Sequence, residues 1–275
     1  MRDGVTSEEC VGFSRESEEF RVSSHRLRDF AGVFADAGAG RSSDVCPAIF
    51  AHIPAMQTLV ECIGHVTSEP AIHGEHDFAV LRPIKPGMRL TTKSTILGLK
   101  KSPVGQLILV ESLTRDEAGE TICQQVTSCI LRNLEDAADH GQISIDRPDV
   151  SSISLEEVAT VDIQPNLGAV YAEQARDYSP YTIDADAARA VGFDAPILHG
   201  ICTLGLASEI AAGHLADDPV ATFARLGCRF SAPLKLIAGQ TLKVTAGRMG
   251  NTLSFCAVDG DGHPVVRNGY AELSS

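Results

Sequence analysis

FAVLRPIKPGMRL (Phe78–Leu90) and FSAPLKLIAGQTL (Phe230–Leu242) are two versions of one stretch, and they decide the fold. In both, a phenylalanine, a glycine and a leucine stand at the same spacing. Such self-similarity within one chain indicates a duplicated structural unit. With 275 residues, 44% of them hydrophobic, the chain is long enough for two such units with cores of their own.

The sequence after each copy predicts a meander of antiparallel strands. QLILVESLTR and ETICQQVTSCILR alternate apolar and polar residues and are rich in β-branched side chains, which is typical of half-buried strands. Acidic, glycine-containing turns join successive strands, DEAGE in the first half and DGDGH in the second. Each half is therefore expected to end in an antiparallel sheet.

One helix is expected ahead of each sheet. Pro54–Val66 has proline in its first turn and apolar residues along one face: Met56, Leu59, Val60 and Ile63. Ile201–Leu215 is small and apolar nearly all round, as expected for a helix that a sheet encloses. The sequence thus predicts an α+β fold of two repeats, each a curved antiparallel sheet wrapped around a long central helix.

Composition predicts where the repeats begin and end. Residues 1–20 are acidic and lack the basic and apolar regions of a signal peptide, so they are interpreted as a mobile N-terminal arm. Residues 135–152 are polar and predicted to be a linker. The N-terminal repeat then covers residues 21–134, and the C-terminal repeat covers residues 153–275.

Charge and cysteine content narrow the class of protein. A formal net charge of −13 disfavours nucleic acids and anionic membranes as partners, because both reward clustered Lys and Arg. The eight cysteines form no CxxC pair and no Cys/His group with zinc spacing, and most stand in apolar stretches. We expect buried, reduced thiols in a cytoplasmic protein, with no metal and no cofactor.

The stretch that carries chemistry is DYSPYTIDADAARAVGFDAPILHG (Asp177–Gly200). It combines an acid before a Ser-Pro turn with a His-Gly pair that leads into the second central helix. Asp184 is predicted to cap a short helix that ends at Gly192. Read through Gly205, the stretch resembles the hydratase signature of the MaoC-like dehydratases, also called (R)-specific enoyl-CoA hydratases.

The resemblance extends over most of the chain, from about Val22 to Leu273. HGEHDFAVLRPIKPGMRL, preceded by IPAMQTLVECIG, is similar to the first repeat of the two-repeat members. The family implies a double hotdog fold, in agreement with the duplicated unit. It also implies syn addition of water across a trans-2-enoyl thioester, or dehydration of an (R)-3-hydroxyacyl thioester. The implied partner is an acyl-CoA or acyl-carrier-protein substrate.

Carried over by position, the family's acid falls on Asp177 and its oxyanion-binding amide on Gly200. A donor at that position stabilises the enolate-like transition state, because negative charge develops on the thioester oxygen. The signature otherwise reads D-x-N-P-x-H, so Ser179 stands for its Asn and Thr182 for its His. A hydroxyl holds a water but does not accept a proton near neutral pH as imidazole does.

Other residues of the motif are candidates for auxiliary roles. The phenol of Tyr178 or of Tyr181 could donate a proton in place of the missing imidazole. His199 is interpreted as a structural donor that braces the turn. A phosphorylated carrier arm needs cations at the tunnel mouth, and the candidates are Arg225, Arg229 and Lys235.

The first repeat looks degenerate as a catalyst. Aligning Pro47 with Pro196 places Phe50 opposite His199 and Ala51 opposite Gly200. Its expected role is to shape the acyl pocket. His73 and His76, on the strand that follows, are expected to pair at the surface with the neighbouring acids Glu75 or Asp77.

The sequence leaves three functions open. The first is an enoyl-thioester hydratase or dehydratase that uses Asp177 and Gly200 without the usual His. The second is a non-catalytic or half-catalytic subunit that binds acyl thioesters, as a homodimer or with a hotdog partner chain. The third is a hotdog enzyme of altered chemistry: a thioesterase, a cyclase or an isomerase.

Overall fold

The computed structural model describes residues 7–37, 46–103, 105–131, 138–142, 144–218 and 220–274. Parts of the predicted arm (1–6) and of the predicted linker (135–137 and 143) lie outside these ranges. Contacts group the chain into two compact units. Unit 1 comprises Met1–Val22 and Pro54–Arg147, and unit 2 comprises Ser23–Ile53 and Pro148–Ser275. The repeat boundaries stay a prediction beside this grouping.

The elements follow in chain order. The helices are α1 (Ser7–Cys10), α2 (Ser24–Asp36), α3 (Met56–Val66), α4 (Leu167–Ala175), α5 (Ala185–Ala190) and α6 (Gly200–Leu215). Two 3-10 helices span Ala48–Ala55 and Pro180–Thr182. The strands are β1 (Ser14–Glu16), β2 (Phe20–Arg21), β3 (Ile72–Val80), β4 (Arg89–Ser102), β5 (Gly105–Arg115), β6 (Thr121–Leu131), β7 (His140–Gly141), β8 (Glu156–Asp162), β9 (Phe223–Phe230), β10 (Thr241–Met249), β11 (Thr252–Asp259) and β12 (Pro264–Leu273).

Unit 1 is an antiparallel sheet in the order β1-β4-β5-β6-β3, with α3 packed on β1, β4 and β5. Its apolar core combines residues of α1, α3 and the sheet: Cys10, Leu59, Cys62, Val66, Ile96, Leu99, Ile108, Val110, Cys129 and Leu131. Toward the start of α3 the same face is polar, since the hydroxyls of Thr58, Ser94 and Ser112 form a chain with 2.7 Å steps.

The N-terminal residues within the described ranges are part of unit 1. β1 and β2 both pair with β4, and Cys10 is fully buried. β1 and β2 therefore belong to the sheet structure of unit 1, although the acidic composition of the first twenty residues predicted a mobile arm. The backbone hydrogen bonds to β4 explain the difference, because a strand edge can hold a polar segment by its main chain alone.

Two details of unit 1 differ from the sequence predictions. Val60 was placed on the apolar face of the first central helix, but it is 52% exposed, and the buried face runs through Leu59 and Cys62. His76 was expected at the surface, but it is fully buried, with Gln125 and Thr127 within hydrogen-bond distance. Strand alternation explains this, since His76 lies on the same face of β3 as buried Phe78.

The acids beside His76 bind a residue from the segment after β7. Arg147 Nε donates to Asp77 Oδ1 and Oδ2 at 2.9 and 3.0 Å. Arg147 Nη1 also lies 3.4 Å from Glu75 Oε2. The two acids therefore pair with this arginine.

Unit 2 is an antiparallel sheet in the order β9-β12-β11-β10-β8, and α6 contacts all five strands. Twelve consecutive residues of α6, from Ile201 to Ala212, are buried, as the all-round apolar pattern predicted. α2 packs on α4 and α6. A Cβ at Gly205 would meet Phe34 and Ile49, so this glycine allows the upstream segment to approach the central helix.

Each unit thus combines an antiparallel sheet with a helix, and the predicted α+β fold with two sheet-and-helix repeats is confirmed. Six of the eight cysteines are buried: Cys10, Cys62, Cys123, Cys129, Cys202 and Cys228. Across the described ranges, the helices are too short or too polar to cross a lipid bilayer.

Candidate active site

The site begins where α4 ends. The C-cap of α4 is Arg176, whose φ of 56° and ψ of 31° lie in the left-handed region that few residues other than glycine adopt. The side chain that follows this turn points inward. The Asp177 side chain is only 17% exposed, whereas the neighbouring Tyr178 is 55% exposed.

The two oxygens of the Asp177 carboxylate have different surroundings. Oδ1 accepts hydrogen bonds from the Ser179 backbone N–H at 3.1 Å and from the Ser179 hydroxyl at 2.7 Å. Oδ2 has no hydrogen-bond partner among the described residues, and lies 3.9 Å from His199 Nε2. Ser179 therefore fixes the orientation of the carboxylate and leaves one oxygen available.

Thr182 ends the 3-10 helix Pro180–Thr182 and is buried. Its hydroxyl donates to the Ser179 carbonyl at 2.6 Å, and Oγ1 lies 3.0 Å from His199 Nε2. A Cβ on Gly168 would collide with the Thr182 carbonyl, so this glycine lets α4 approach the turn closely. The Thr182 hydroxyl thus both donates and accepts a hydrogen bond within the protein.

His199 also donates within this network. Its Nε2 lies 3.0 Å from the Asp177 carbonyl oxygen, which can only accept, so Nε2 carries the hydrogen. Nδ1 then holds a lone pair, and it is buried with no hydrogen-bond partner in the described part of the chain. Burial lowers the pKa of His199 from its usual 6.5, and the Asp177 charge opposes this effect. His199 is therefore a neutral imidazole committed as a donor.

Gly200 is the first residue of α6, and His199 is its N-cap. The N–H groups of a helix's first turn have no partner within the helix, and the helix dipole makes this end favourable for negative charge. A Cβ on Gly200 would lie 3.2 to 3.4 Å from ring atoms of Phe230, which is tight packing. A glycine therefore fits this position better than any residue with a side chain.

The two tyrosines of the motif have separate surroundings. The Tyr178 hydroxyl donates to Glu173 Oε2 at 3.0 Å, and this bond is the main cause that raises the Tyr178 pKa. The Tyr181 ring packs 6.1 Å from the Phe193 ring. Neither phenol has a hydrogen bond to the Asp177 carboxylate among the described residues.

A third tyrosine, which the sequence analysis did not select, lies closer to the centre of the site. The Tyr171 ring on α4 is buried, with its centroid 4.9 Å from that of His199. Phe30 and Phe34 of α2 also pack against the Tyr171 ring, with ring centroids 5.9 and 6.5 Å away from its centroid. The only sequence signal was an aromatic residue in the apolar run LGAVYAEQA just before Asp177.

Lys235, one of the three candidate cations, lies near the His-Gly segment. It forms an isolated bridge with Ile197, and the Leu198 backbone N–H donates to the carbonyl of Leu234. Its ammonium donates to Asp194 Oδ2 at 2.7 Å, which raises the pKa of Lys235. The cation is thus close to the motif but paired with an acid.

The other two cations lie on β9. Because strand residues alternate between the two faces, Arg225 and Arg229 lie on the same face of β9, opposite to the face that carries Phe230. Arg225 lies 3.7 Å from Glu272 and stacks over the Tyr270 ring at 5.6 Å. The structure therefore brings together Asp177, Ser179, Thr182, His199 and Gly200, and it places Arg225 and Arg229 on the other side of the strand.

One group elsewhere has the donor atoms of a cation site. Asp259, Asp261 and His263 have potential ligand atoms within 4.8 Å of one another, in the turn between β11 and β12. Asp259 Oδ1 already accepts the backbone N–H groups of Asp261 and His263, at 3.1 and 2.7 Å. This group organises its own turn and belongs to no part of the motif.

Known proteins resemble this chain in sequence. Residues 152–265 match the protein family described as MaoC like domain. The chain is 28% identical over 208 residues to peroxisomal multifunctional enzyme type 2 of Drosophila melanogaster, covering 74% of this chain and 34% of that protein. It is 27% identical over 211 residues to the probable enoyl-CoA hydratase 2 of Dictyostelium discoideum, covering 73% of this chain and 69% of that protein.

Solved structures show the same fold at lower identity. A MaoC-like dehydratase from Phytophthora capsici has a TM-score of 0.81 at 21% identity, over 98% of each chain. A conserved Mycobacterium tuberculosis protein described as having a double hotdog fold has a TM-score of 0.61 at 12% identity, over 96% of each chain. The chain spans about a third of the length of its multifunctional relative. The predicted resemblance to the MaoC-like dehydratases is confirmed, and it is carried by residues 152–265, which match the MaoC like domain.

Proposed function

We propose that this protein hydrates trans-2-enoyl thioesters, or dehydrates (R)-3-hydroxyacyl thioesters in the reverse direction, with Asp177 as the only general acid/base. Gly200 supplies the backbone N–H that binds the thioester oxygen. Thr182 and His199 hold the turn that carries Asp177. The hydratases among the relatives support the reaction class, and the contacts of these residues support the division of roles.

The observation that carries this proposal is the asymmetry of the Asp177 carboxylate. Ser179 holds Oδ1 with two hydrogen bonds, while Oδ2 accepts none from the described residues. An acid/base must present a lone pair to its substrate in a fixed direction, and this arrangement provides that. A carboxylate that served only to form the turn would need Oδ1 alone.

Syn addition of water is compatible with one acid/base group. Asp177 Oδ2 takes a proton from water while the water oxygen bonds to C3, and the C2–C3 electron pair moves toward the thioester oxygen as an enolate. The protonated Asp177 then returns its proton to C2, the carbonyl re-forms, and one water has been added. Because the same carboxylate acts twice from one side, the hydroxyl and the hydrogen enter the same face.

Negative charge on the thioester oxygen needs a preorganised donor. The first turn of α6 begins at Gly200, directly after a histidine that is tied to the Asp177 carbonyl. One such donor contributes about 3 to 4 kcal/mol of transition-state stabilisation in other enzymes. The Asp177 turn and the helix terminus are thus held at a fixed distance from each other by His199.

A second candidate function is favoured by Thr182. The position that aligns with the histidine of D-x-N-P-x-H holds a hydroxyl that bonds to Ser179 and His199. The protein would then bind acyl thioesters without turnover, or act with a hotdog partner chain that supplies the imidazole. General acid/base groups contribute about 10²- to 10⁴-fold, so this difference is measurable.

The test is turnover of a panel of trans-2-enoyl-CoA and (R)-3-hydroxyacyl-CoA thioesters, followed by mass. We expect the wild type to add one water and Asp177→Asn to lose about 10²- to 10⁴-fold in kcat. Asp184→Asn is the matched control, because Asp184 only caps α5, accepting from the Ala187 backbone N–H. An inert wild type that binds the thioesters, with activity gained in Thr182→His, would support the second candidate instead.

A further inference from the structure

Two arginines stand directly opposite each other on neighbouring strands of unit 2. Arg229 of β9 and Arg267 of β12 are register partners, so their side chains leave the same face of the sheet. Like charges at directly opposite positions destabilise a strand pair. In a protein with a formal net charge of −13, this placement of two cations needs an explanation.

Both side chains are exposed, and the described residues give neither of them an ion pair or a side-chain hydrogen bond. Arg225, four positions before Arg229 on β9, adds a third guanidinium to the same face, although Glu272 lies 3.7 Å from it. We call Arg225, Arg229 and Arg267 the arginine face. It carries a net positive charge even when Glu272 is counted.

The backbone of β12 is irregular at this point. The register between β9 and β12 shifts between Arg267 and Tyr270, and Asn268 has a φ of 50°, in the left-handed region. A bulge of this kind redirects the side chains around it, and bulges are frequent beside active sites. Here the irregularity directly follows Arg267 and leaves it opposite Arg229.

The arginine face begins one residue from the candidate oxyanion site. Phe230 follows Arg229, and its ring packs where a Cβ on Gly200 would lie. Because strand residues alternate, the Phe230 ring faces α6 while Arg229 leaves the opposite face. A ligand whose reacting end is bound at Gly200 would therefore reach these cations by passing along the end of β9.

We propose that Arg229 and Arg267 bind the phosphate groups of the substrate's carrier arm, an inference that rests on the proposed function. Guanidinium groups recognise phosphate oxygens with paired, charge-assisted hydrogen bonds. A bound phosphate also removes the repulsion between the two cations. The arm is either coenzyme A or the phosphopantetheine of an acyl carrier protein, and both present phosphate esters on a long flexible chain.

The experiment compares the wild type with Arg229→Gln, Arg267→Gln and the double variant. Calorimetry measures the Kd of free coenzyme A, which requires no turnover. Kinetics measure KM for trans-2-enoyl esters of coenzyme A, of 4′-phosphopantetheine and of pantetheine, which has no phosphate. We expect the double variant to raise the Kd and the coenzyme A-ester KM about tenfold and to leave the pantetheine-ester KM unchanged.

Arg248→Gln is the matched control. It removes the same charge, but Arg248 donates to the Leu215 carbonyl at the C-terminal end of α6, opposite to the end at Gly200. The Kd in this variant should equal that of the wild type. Thermal unfolding adds a second readout: removing one of two opposed like charges should leave the Tm unchanged or raise it.

The outcomes separate the possible sources of the phosphate. A rise in KM for the phosphopantetheine ester assigns the 4′-phosphate, and a rise for the coenzyme A ester alone assigns the nucleotide phosphates. An equal rise for the pantetheine ester, no change in the double variant, or no binding of coenzyme A by the wild type would overturn the site. Weakened binding without turnover of any thioester would instead leave the site standing and reject the hydratase function.

Discussion

Thr182 Oγ1 lies 3.0 Å from His199 Nε2, and the same nitrogen lies 3.0 Å from the Asp177 carbonyl oxygen. One imidazole N–H thus joins the end of the 3-10 helix to the turn after α4. Thr182 fills a place in this network, and its hydroxyl in turn donates to the Ser179 carbonyl. These contacts indicate that Thr182 helps to hold the turn that carries Asp177.

Thr182→Val should therefore lower stability more than its small change in shape suggests. Valine keeps the volume but leaves the Ser179 carbonyl without this donor. The free energy of unfolding should fall by about 1 to 3 kcal/mol, measured by urea denaturation. Thr182→Ser keeps the hydroxyl and should lose less. Equal losses in the two variants would contradict a role for the hydroxyl.

Gly200→Ala should reduce activity through crowding. The added Cβ would meet the Phe230 ring at 3.2 to 3.4 Å, so the helix terminus or the ring must move by a few tenths of an ångström. Misplacing an oxyanion donor costs up to about 10²- to 10³-fold in kcat. The measurement is kcat on an enoyl-CoA substrate that the wild type hydrates.

Two further variants check the cause of that loss. Gly64→Ala lies within α3, where an added Cβ meets nothing within 4 Å, and it should raise stability by up to about 1 kcal/mol with kcat unchanged. Adding Phe230→Leu to Gly200→Ala removes ring atoms from the crowded spot and should restore part of the activity. Failure of this rescue would contradict the steric explanation.

The lowered pKa of His199 predicts a pH dependence of stability. Its cause is burial, partly offset by the Asp177 charge. Below about pH 6.5 the unfolded chain binds a proton at His199, whereas the folded chain does not yet bind one. The free energy of unfolding therefore decreases as the pH is lowered, until the folded-state pKa is reached. Above pH 6.5 both states are neutral and this contribution is constant.

His199→Gln provides the comparison for that pH dependence, because its amide can still donate to the Asp177 carbonyl but does not titrate. We expect the Tm of the wild type to fall more steeply than that of the variant between pH 6.5 and pH 5. Parallel curves for the two proteins would show that His199 titrates alike in the folded and unfolded states.

Phe30 is predicted to matter for the site although it is far from Asp177 in sequence. It is fully buried, and its ring lies 5.9 Å from Tyr171, which in turn packs on His199. Phe30→Ala should lower the free energy of unfolding by about 3 to 5 kcal/mol. Val60→Ala, at an exposed position, should change it by less than about 0.5 kcal/mol. Chemical denaturation of both variants checks this contrast.

The sequence predicted those features that repeat or that depend on local pattern. The Phe78 and Phe230 stretches revealed the duplication, and the all-round apolar pattern of α6 matched its enclosure by five strands. Asp184 was recognised as a helix cap from its position alone, and its side chain accepts from the Ala187 backbone N–H at 2.7 Å. These signals lie within a few residues of the feature they predict.

The features that escaped prediction depend on contacts between distant segments. Nothing in the text around Tyr171 says that α2 will pack against it, and nothing around Gly200 says that Phe230 will lie beside it. Val60 was assigned to the wrong face because the apolar pattern of α3 is broad, and packing on only part of the sheet selected Leu59 and Cys62. Such choices are made by tertiary packing.

Unit 2 includes Ser23–Ile53, a segment that precedes strands β3 to β6 of unit 1 in the sequence. A gene fragment beginning at Pro148 would encode every residue of the candidate site and still lack the aromatic side chains that support Tyr171. The smallest part of the chain that contains the site and its supporting side chains therefore consists of two separate segments. A graft of this site onto another protein must therefore include the upstream segment. The same holds for a gene split into two complementing pieces.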